Sequence, residues 1–161
     1  MSVTINTVTL NTVSNDERDS IVQSKAADAP LENAADMSAK RALLVMVHGT
    51  PRPVANEEMF RVIEVVKKRG VYPIVEVGFM ECNAPSIPES IESCIAQGAT
   101  KVTAVPYFLH TGTHVTDDLP TLIEAAQEQY PEVEFAMGGY LGRSELLTDI
   151  LEARTRAVYA L

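Results

Sequence analysis

Residues 101–120 read KVTAVPYFLHTGTHVTDDLP: a strand signal that breaks at a pair of histidines and turns into a helix start. The apolar run from Val102 to Leu109 ends at His110 and His114, two of the chain's three histidines, with Gly112 between them. Thr116 is placed to cap the following helix, Asp117 and Asp118 suit its positive first turn, and Pro120 is tolerated where amides lack intrahelical partners. The remaining histidine, His48, follows the apolar run Ala42–Val47 in the same way. Two strands are therefore expected to present imidazole at one edge of a sheet.

The flanking sequence supplies the rest of that sheet. A helix is predicted over about Val54 to Arg69, stopped by Gly70, then a second strand over Ile74–Phe79. The loop Met80–Pro85 leads to a helix near Ile87–Gln97, whose start carries Ser86 and Glu89 in capping-box register. Ile91, Cys94 and Ile95 share a face of that helix at spacings of three and four, which reads Cys94 as core. A third strand over Val102–Phe108, a helix to about Tyr130, a fourth strand over Val133–Met137 and a last helix over Ser144–Tyr159 complete a βαβαβαβα order. That order favours an α/β fold: a four-stranded parallel sheet in a three-layer, flavodoxin-like arrangement with right-handed crossovers and helices on both faces. The domain spans residues 41–161. Residues 1–40 hold no aromatic residue and from Ser14 onward are rich in Asp, Glu, Ala, Ser and Asn, so they read as a flexible extension; a partly alternating stretch over Val3–Val13 leaves open an edge strand.

The bulk properties narrow the function classes. A chain of 161 residues with 46% hydrophobic content can close one sizeable core. No window approaches the ~18 apolar residues of a membrane span, and no basic-then-apolar leader opens the chain, so the expectation is a soluble, cytoplasmic protein. Cys82 and Cys94 are too few for a disulfide framework. A net charge of −9 argues against nucleic acid as a partner, since a phosphate backbone needs a basic face.

In open parallel sheets ligands gather beyond the carboxyl ends of the strands, where strand order reverses. His48 follows the first strand, Glu81 the second, and His114 lies in the loop after the third. If the order is 2-1-3-4, they come from adjacent strands. Two imidazoles and a carboxylate then share reach of one divalent ion, a mixed donor set suited to Fe, Co, Ni or Zn rather than Mg or Ca. His110 is left open as a further ligand or proton acceptor, and Cys82 as a soft ligand beside the better-directed Glu81.

The segments VMVHGTPRPVANEEMF, VGFMECNAPSI, VTAVPYFLHTGTHVTDDLP and GGYLG, in this order and spacing, resemble the short sirohydrochlorin chelatases of the CbiX type over residues 41–161. The resemblance implies insertion of a divalent metal (Co2+ or Fe2+, in some members Ni2+) into sirohydrochlorin without ATP. The metal is then a substrate, and no cofactor is permanently bound. It implies His48 and His114 as the metal and pyrrole-proton histidines, Glu81 as the accompanying acid, and a homodimer. Gly112, Gly138 and Gly139 would let backbone approach the macrocycle, and Arg52 and Arg143 are candidates to pair with its carboxylates. Two departures stand out: Thr50 where the family usually has serine, and His110 where an apolar or small residue is common.

Other readings use parts of the same pattern. A divalent-metal carrier or sensor needs only the ligands. An α/β-hydrolase shares the HG after the first strand but needs a G-x-S-x-G elbow, and Gly142-Arg143-Ser144-Glu145-Leu146 lacks the second glycine. A nucleotide-binding flavodoxin-like module would need a Gly-rich phosphate loop after the first strand, which is missing.

Overall fold

The computed structural model describes residues 40–159. The extension over residues 1–39 and the strand expected over Val3–Val13 lie outside the described residues. Lys40, assigned to the extension, is instead held by the domain: its carbonyl accepts the Thr100 N–H at 2.9 Å, and its ammonium donates to the Gln97 carbonyl at 2.5 Å.

Four strands, β1 (Arg41–Val47), β2 (Ile74–Phe79), β3 (Lys101–Pro106) and β4 (Glu134–Met137), form one parallel sheet in the order β2-β1-β3-β4. The helices are α1 (Pro53–Lys68), α2 (Ile87–Ala96), α3 (Leu119–Gln129) and α4 (Leu146–Tyr159), with a π-helical turn over His114–Asp118 before α3 and a 3-10 turn over Leu141–Arg143 before α4.

The central strand explains why its sequence is apolar throughout. Ala42, Leu44 and Met46 point to the face covered by α2 and α3, where they meet Ile87, Ile91, Cys94, Leu119 and Ile123. Val45 points to the other face, where Met59 and Ile63 of α1 close over Val75, Val77 and Phe79. With both faces covered, period-two alternation disappears. Each fully buried Leu, Ile, Val, Met or Phe side chain among these contributes about 1.5–3 kcal/mol relative to exposure. The helix ends follow the expected chemistry. Gly70 has φ +66° just past α1. At α2 the Ser86 N–H donates to Glu89 Oε2 at 2.6 Å while the Ser86 hydroxyl accepts the Glu89 N–H at 3.4 Å, and these bonds hold the Glu89 carboxyl below the usual carboxylate range.

Two expectations need correction. β3 stops at Pro106, not Phe108: Pro106 has no N–H to donate, and the last rung toward β1 is the Tyr107 N–H on the Met46 carbonyl at 2.8 Å. Thr116 does not cap a helix. Helical structure begins earlier, and the Thr116 hydroxyl donates back to the Gly112 carbonyl at 3.2 Å. The cause lies in Pro120, which cannot donate to the carbonyl four residues back and whose ring crowds it. A wider turn accommodates this, with the Leu119 N–H bonding the His114 carbonyl five residues back. Finally, α4 forms but leaves Leu146, Ile150, Leu151 and Val158 exposed. On the α1 side of the sheet, Thr103 and Val105 are only half-buried and Ala136 is exposed.

Cys94 is fully buried on α2, as its spacing predicts, and burial, with the Glu76 carboxylate nearby, pushes its thiol up to about 12. The native chain thus keeps this proton where an unfolded cysteine, near 8.5, has lost it. Stability is expected to fall as pH rises above about 8.5, a trend carried by Cys94 and flattened by Cys94→Ala after allowing for its smaller core. Urea titrations at stepped pH check this, and a wild-type slope no steeper than that of Cys94→Ala contradicts it.

Candidate functional site

The carboxyl ends of β1, β2 and β3 lie side by side because the register pairs Val47 with Phe79 and Met46 with Pro106. Hydrogen bonding between β1 and β2 continues past the strands: the Met80 N–H reaches the Val47 carbonyl at 2.8 Å and the Glu81 N–H reaches the His48 carbonyl at 3.0 Å. His48 is therefore positioned by a ladder rung even though its side chain is exposed. The next residue has to be glycine. Gly49 has φ +94°, and a Cβ there would run into the Glu81 carbonyl oxygen.

A second set of bonds fixes this loop from both sides. The Thr50 N–H donates to Asn83 Oδ1 at 2.9 Å, and the buried Asn56 of α1 donates through Nδ2 to the Thr50 carbonyl at 3.0 Å. Asn56 and Asn83 were not singled out in the sequence. Their signal is weak, since asparagine in loops and first turns is common for many reasons.

His114 arrives from the other side. The π turn lifts it from the end of the β3 loop so that its ring stands 5.0 Å, centroid to centroid, from that of His48, with 64° between the planes. Its Nδ1 lies 2.7 Å from Asp118 Oδ2, and the His48 Nδ1 lies 3.1 Å from the Gly49 carbonyl. Both partners accept only, and such an acceptor bonds Nδ1 when that atom bears hydrogen, the form in which Nε2 offers the lone pair of a neutral ring. A cleft of about 370 Å³ opens beside His48 on the α1 side, lined by Thr50, Met59, Val62 and Tyr107 among others.

The other expected residues divide. Glu81 is exposed and joins the site through its backbone; Cys82, at φ +63°, and His110 are also exposed. Among the described residues no three His, Cys, Asp or Glu side chains are grouped so as to hold a metal ion. The structure thus unites His48 with His114 and leaves Glu81 and His110 outside any ready-made set. Arg52 is exposed in the loop after β1, its N–H on Thr50 Oγ1 at 3.3 Å. The Arg143 side chain lies outside the described residues. Gly112 has open space around it, Gly138 continues the β4 ladder through its N–H to the Ala104 carbonyl at 2.8 Å, and Gly139 is exposed. The glycine with the tightest surroundings, Gly142, was not marked as a site residue. Its N–H bonds the Phe108 carbonyl at 3.1 Å, and a Cβ there would strike the Leu109 carbonyl, so it braces the loop that carries His110.

The CbiX family model matches residues 42–158. The sirohydrochlorin cobaltochelatase of Methanocaldococcus jannaschii is 38% identical over 89 residues, which make up 55% of this chain and 62% of that protein. The sirohydrochlorin ferrochelatase of Priestia megaterium is 38% identical over 113 residues, 70% of this chain and 42% of that one. Among solved structures, the sirohydrochlorin chelatase SirB from Bacillus subtilis subspecies spizizenii, in complex with cobalt, superposes with a TM-score of 0.70 at 30% identity, covering 74% of this chain and 51% of SirB. The matches thus span between about two fifths and three fifths of these proteins' lengths.

Proposed function

This chain belongs to the CbiX family, and we propose that it inserts a divalent metal, Co2+ or Fe2+ or else Ni2+, into sirohydrochlorin without ATP. The observation that carries this reading is the pair of half-open imidazoles 5.0 Å apart at the carboxyl edge of the sheet. Two imidazoles bound cis to one ion, with metal–nitrogen bonds of ~2.1 Å, have centroids roughly 4.5–5 Å apart. The centroid spacing of the pair agrees with both rings reaching one ion. Insertion must strip water from the metal and two protons from ring nitrogens, and an imidazole lone pair serves either task.

Among the described residues no third ligand is grouped with the pair, which suits a metal that has to leave. A saturated shell would retain the ion, whereas two imidazoles leave the other positions to water and then to pyrrole nitrogens. Glu81, whose own N–H bonds the His48 carbonyl, is the acid we assign to steady the approaching ion from the rim. Arg52 is assigned to the carboxylates that ring the macrocycle. A carrier or sensor, the competing reading, needs only the ligands; what favours insertion is that the relatives of this chain are sirohydrochlorin chelatases. Choice among the three metals does not follow from the donor set, since imidazole suits each.

We place the protein in the cytoplasm as a homodimer. The support for pairing is the exposed apolar side of α4, with Leu146, Ile150, Leu151 and Val158, on a chain whose β3–β4 surface is itself incompletely covered. A second copy supplies what each lacks.

Purified protein mixed with sirohydrochlorin and each metal in turn is expected to shift the pigment spectrum faster than the uncatalysed reaction, and His48→Ala or His114→Ala to lower the rate by at least about 10²-fold. Equal rates with and without protein overturn the assignment. Light scattering is expected to give the mass of two chains, with Leu151→Glu shifting it toward one; a wild-type mass of one chain contradicts the dimer.

A further inference from the structure

The two imidazoles differ in what stands behind them. His48 leans on a neutral carbonyl, His114 on a carboxylate at 2.7 Å. Asp118 has no other evident task in the helix it precedes: it stands at the N-cap position of α3 but makes no side-chain capping bond there. The π turn brings this about. Both residues lie within it, four apart, and its carbonyl-to-N–H bond from His114 to Leu119 closes around them. The side chains are 41% and 45% exposed, so the pair sits at the surface a substrate would reach, not in the core.

From this geometry we propose that Asp118 is a positioning residue for metal insertion, fixing His114 in the Nδ1–H tautomer so that Nε2 is its only lone pair. The inference rests on the chelatase reading of the histidine pair. The physical reason is the acceptor-only character of a carboxylate: it bonds to Nδ1 only when that atom bears hydrogen. An amide in the same place has a donor to offer. Asp118→Asn lets its NH2 group donate to Nδ1, moves the proton to Nε2 and blocks the atom that must act. Asp118→Ala merely releases the ring to exchange between tautomers. The nearly isosteric change is thus expected to be the more harmful one, an order that loss of packing or of a surface ion pair does not produce.

The test has two arms on folded protein. In 15N-labelled, metal-free protein at about pH 8, where free imidazole is neutral, long-range 1H–15N correlation is expected to show His114 as Nδ1–H in wild type, as Nε2–H in Asp118→Asn, and as a mixture in Asp118→Ala. In the insertion assay Asp118→Asn is expected to lose about 10²-fold or more in kcat with KM for sirohydrochlorin unchanged, Asp118→Ala to lose less, and Asp118→Glu to recover part of the rate. An Nε2–H tautomer in wild type, an unchanged tautomer in Asp118→Asn, or a larger kcat loss in Asp118→Ala than in Asp118→Asn overturns the proposal. Absence of insertion by wild type would instead overturn the function, and the NMR arm would still decide the role of Asp118. Should Asp118→Asn fail to fold, the wild-type and Asp118→Ala spectra decide it.

Discussion

The parallel pairing of β1 with β2 on one side and β3 on the other is the constraint from which the site follows. A parallel sheet puts all its strands' carboxyl ends at one edge, and the central strand has neighbours at both hands. His48 is the first residue past β1, and one more rung, from the Glu81 N–H to its carbonyl, ties the loop after β2 to it. Slipping that register by one residue would also move Leu44 and Met46 off the face packed by α2 and α3, so their burial there protects the site geometry.

Around that constraint, local chemistry supplies precision. Gly49 allows the chain to turn against the Glu81 backbone, Asn83 and Asn56 hold Thr50 from opposite sides, and Gly142 braces the loop after β3. The imidazoles themselves remain accessible, as they must if a flat macrocycle is to reach them. Stability and access are separated in this way: core packing holds the frame, while the two imidazoles stay open to solvent at its edge.

Much of this was readable before the structure. The bounds of β2, the Ser86–Glu89 box and the burial of Cys94 follow from local rules, and the strand order that brings His48 and His114 together follows from parallel topology. The missed features depend on tertiary context. Thr116 looks like a cap until the consequence of Pro120 is worked through the preceding turn, and Asp118 reads as a helix-dipole residue unless its spacing of four from His114 is weighed. Strand adjacency brings the Glu81 backbone onto His48. Adjacent strands fix where a backbone ends, not where an exposed carboxylate points. The open side of α4 was not foreseen either, since an amphipathic helix carries no sign of whether its partner lies in the same chain.

X-ray absorption at the metal edge, on protein loaded with a single equivalent of Co2+, tests the paired-imidazole account most directly. It predicts two imidazole nitrogens at about 2.0–2.1 Å, with oxygen donors filling the shell, and the loss of one nitrogen in either His48→Ala or His114→Ala. A spectrum with one imidazole or none in wild type, or one unaffected by these substitutions, would contradict it.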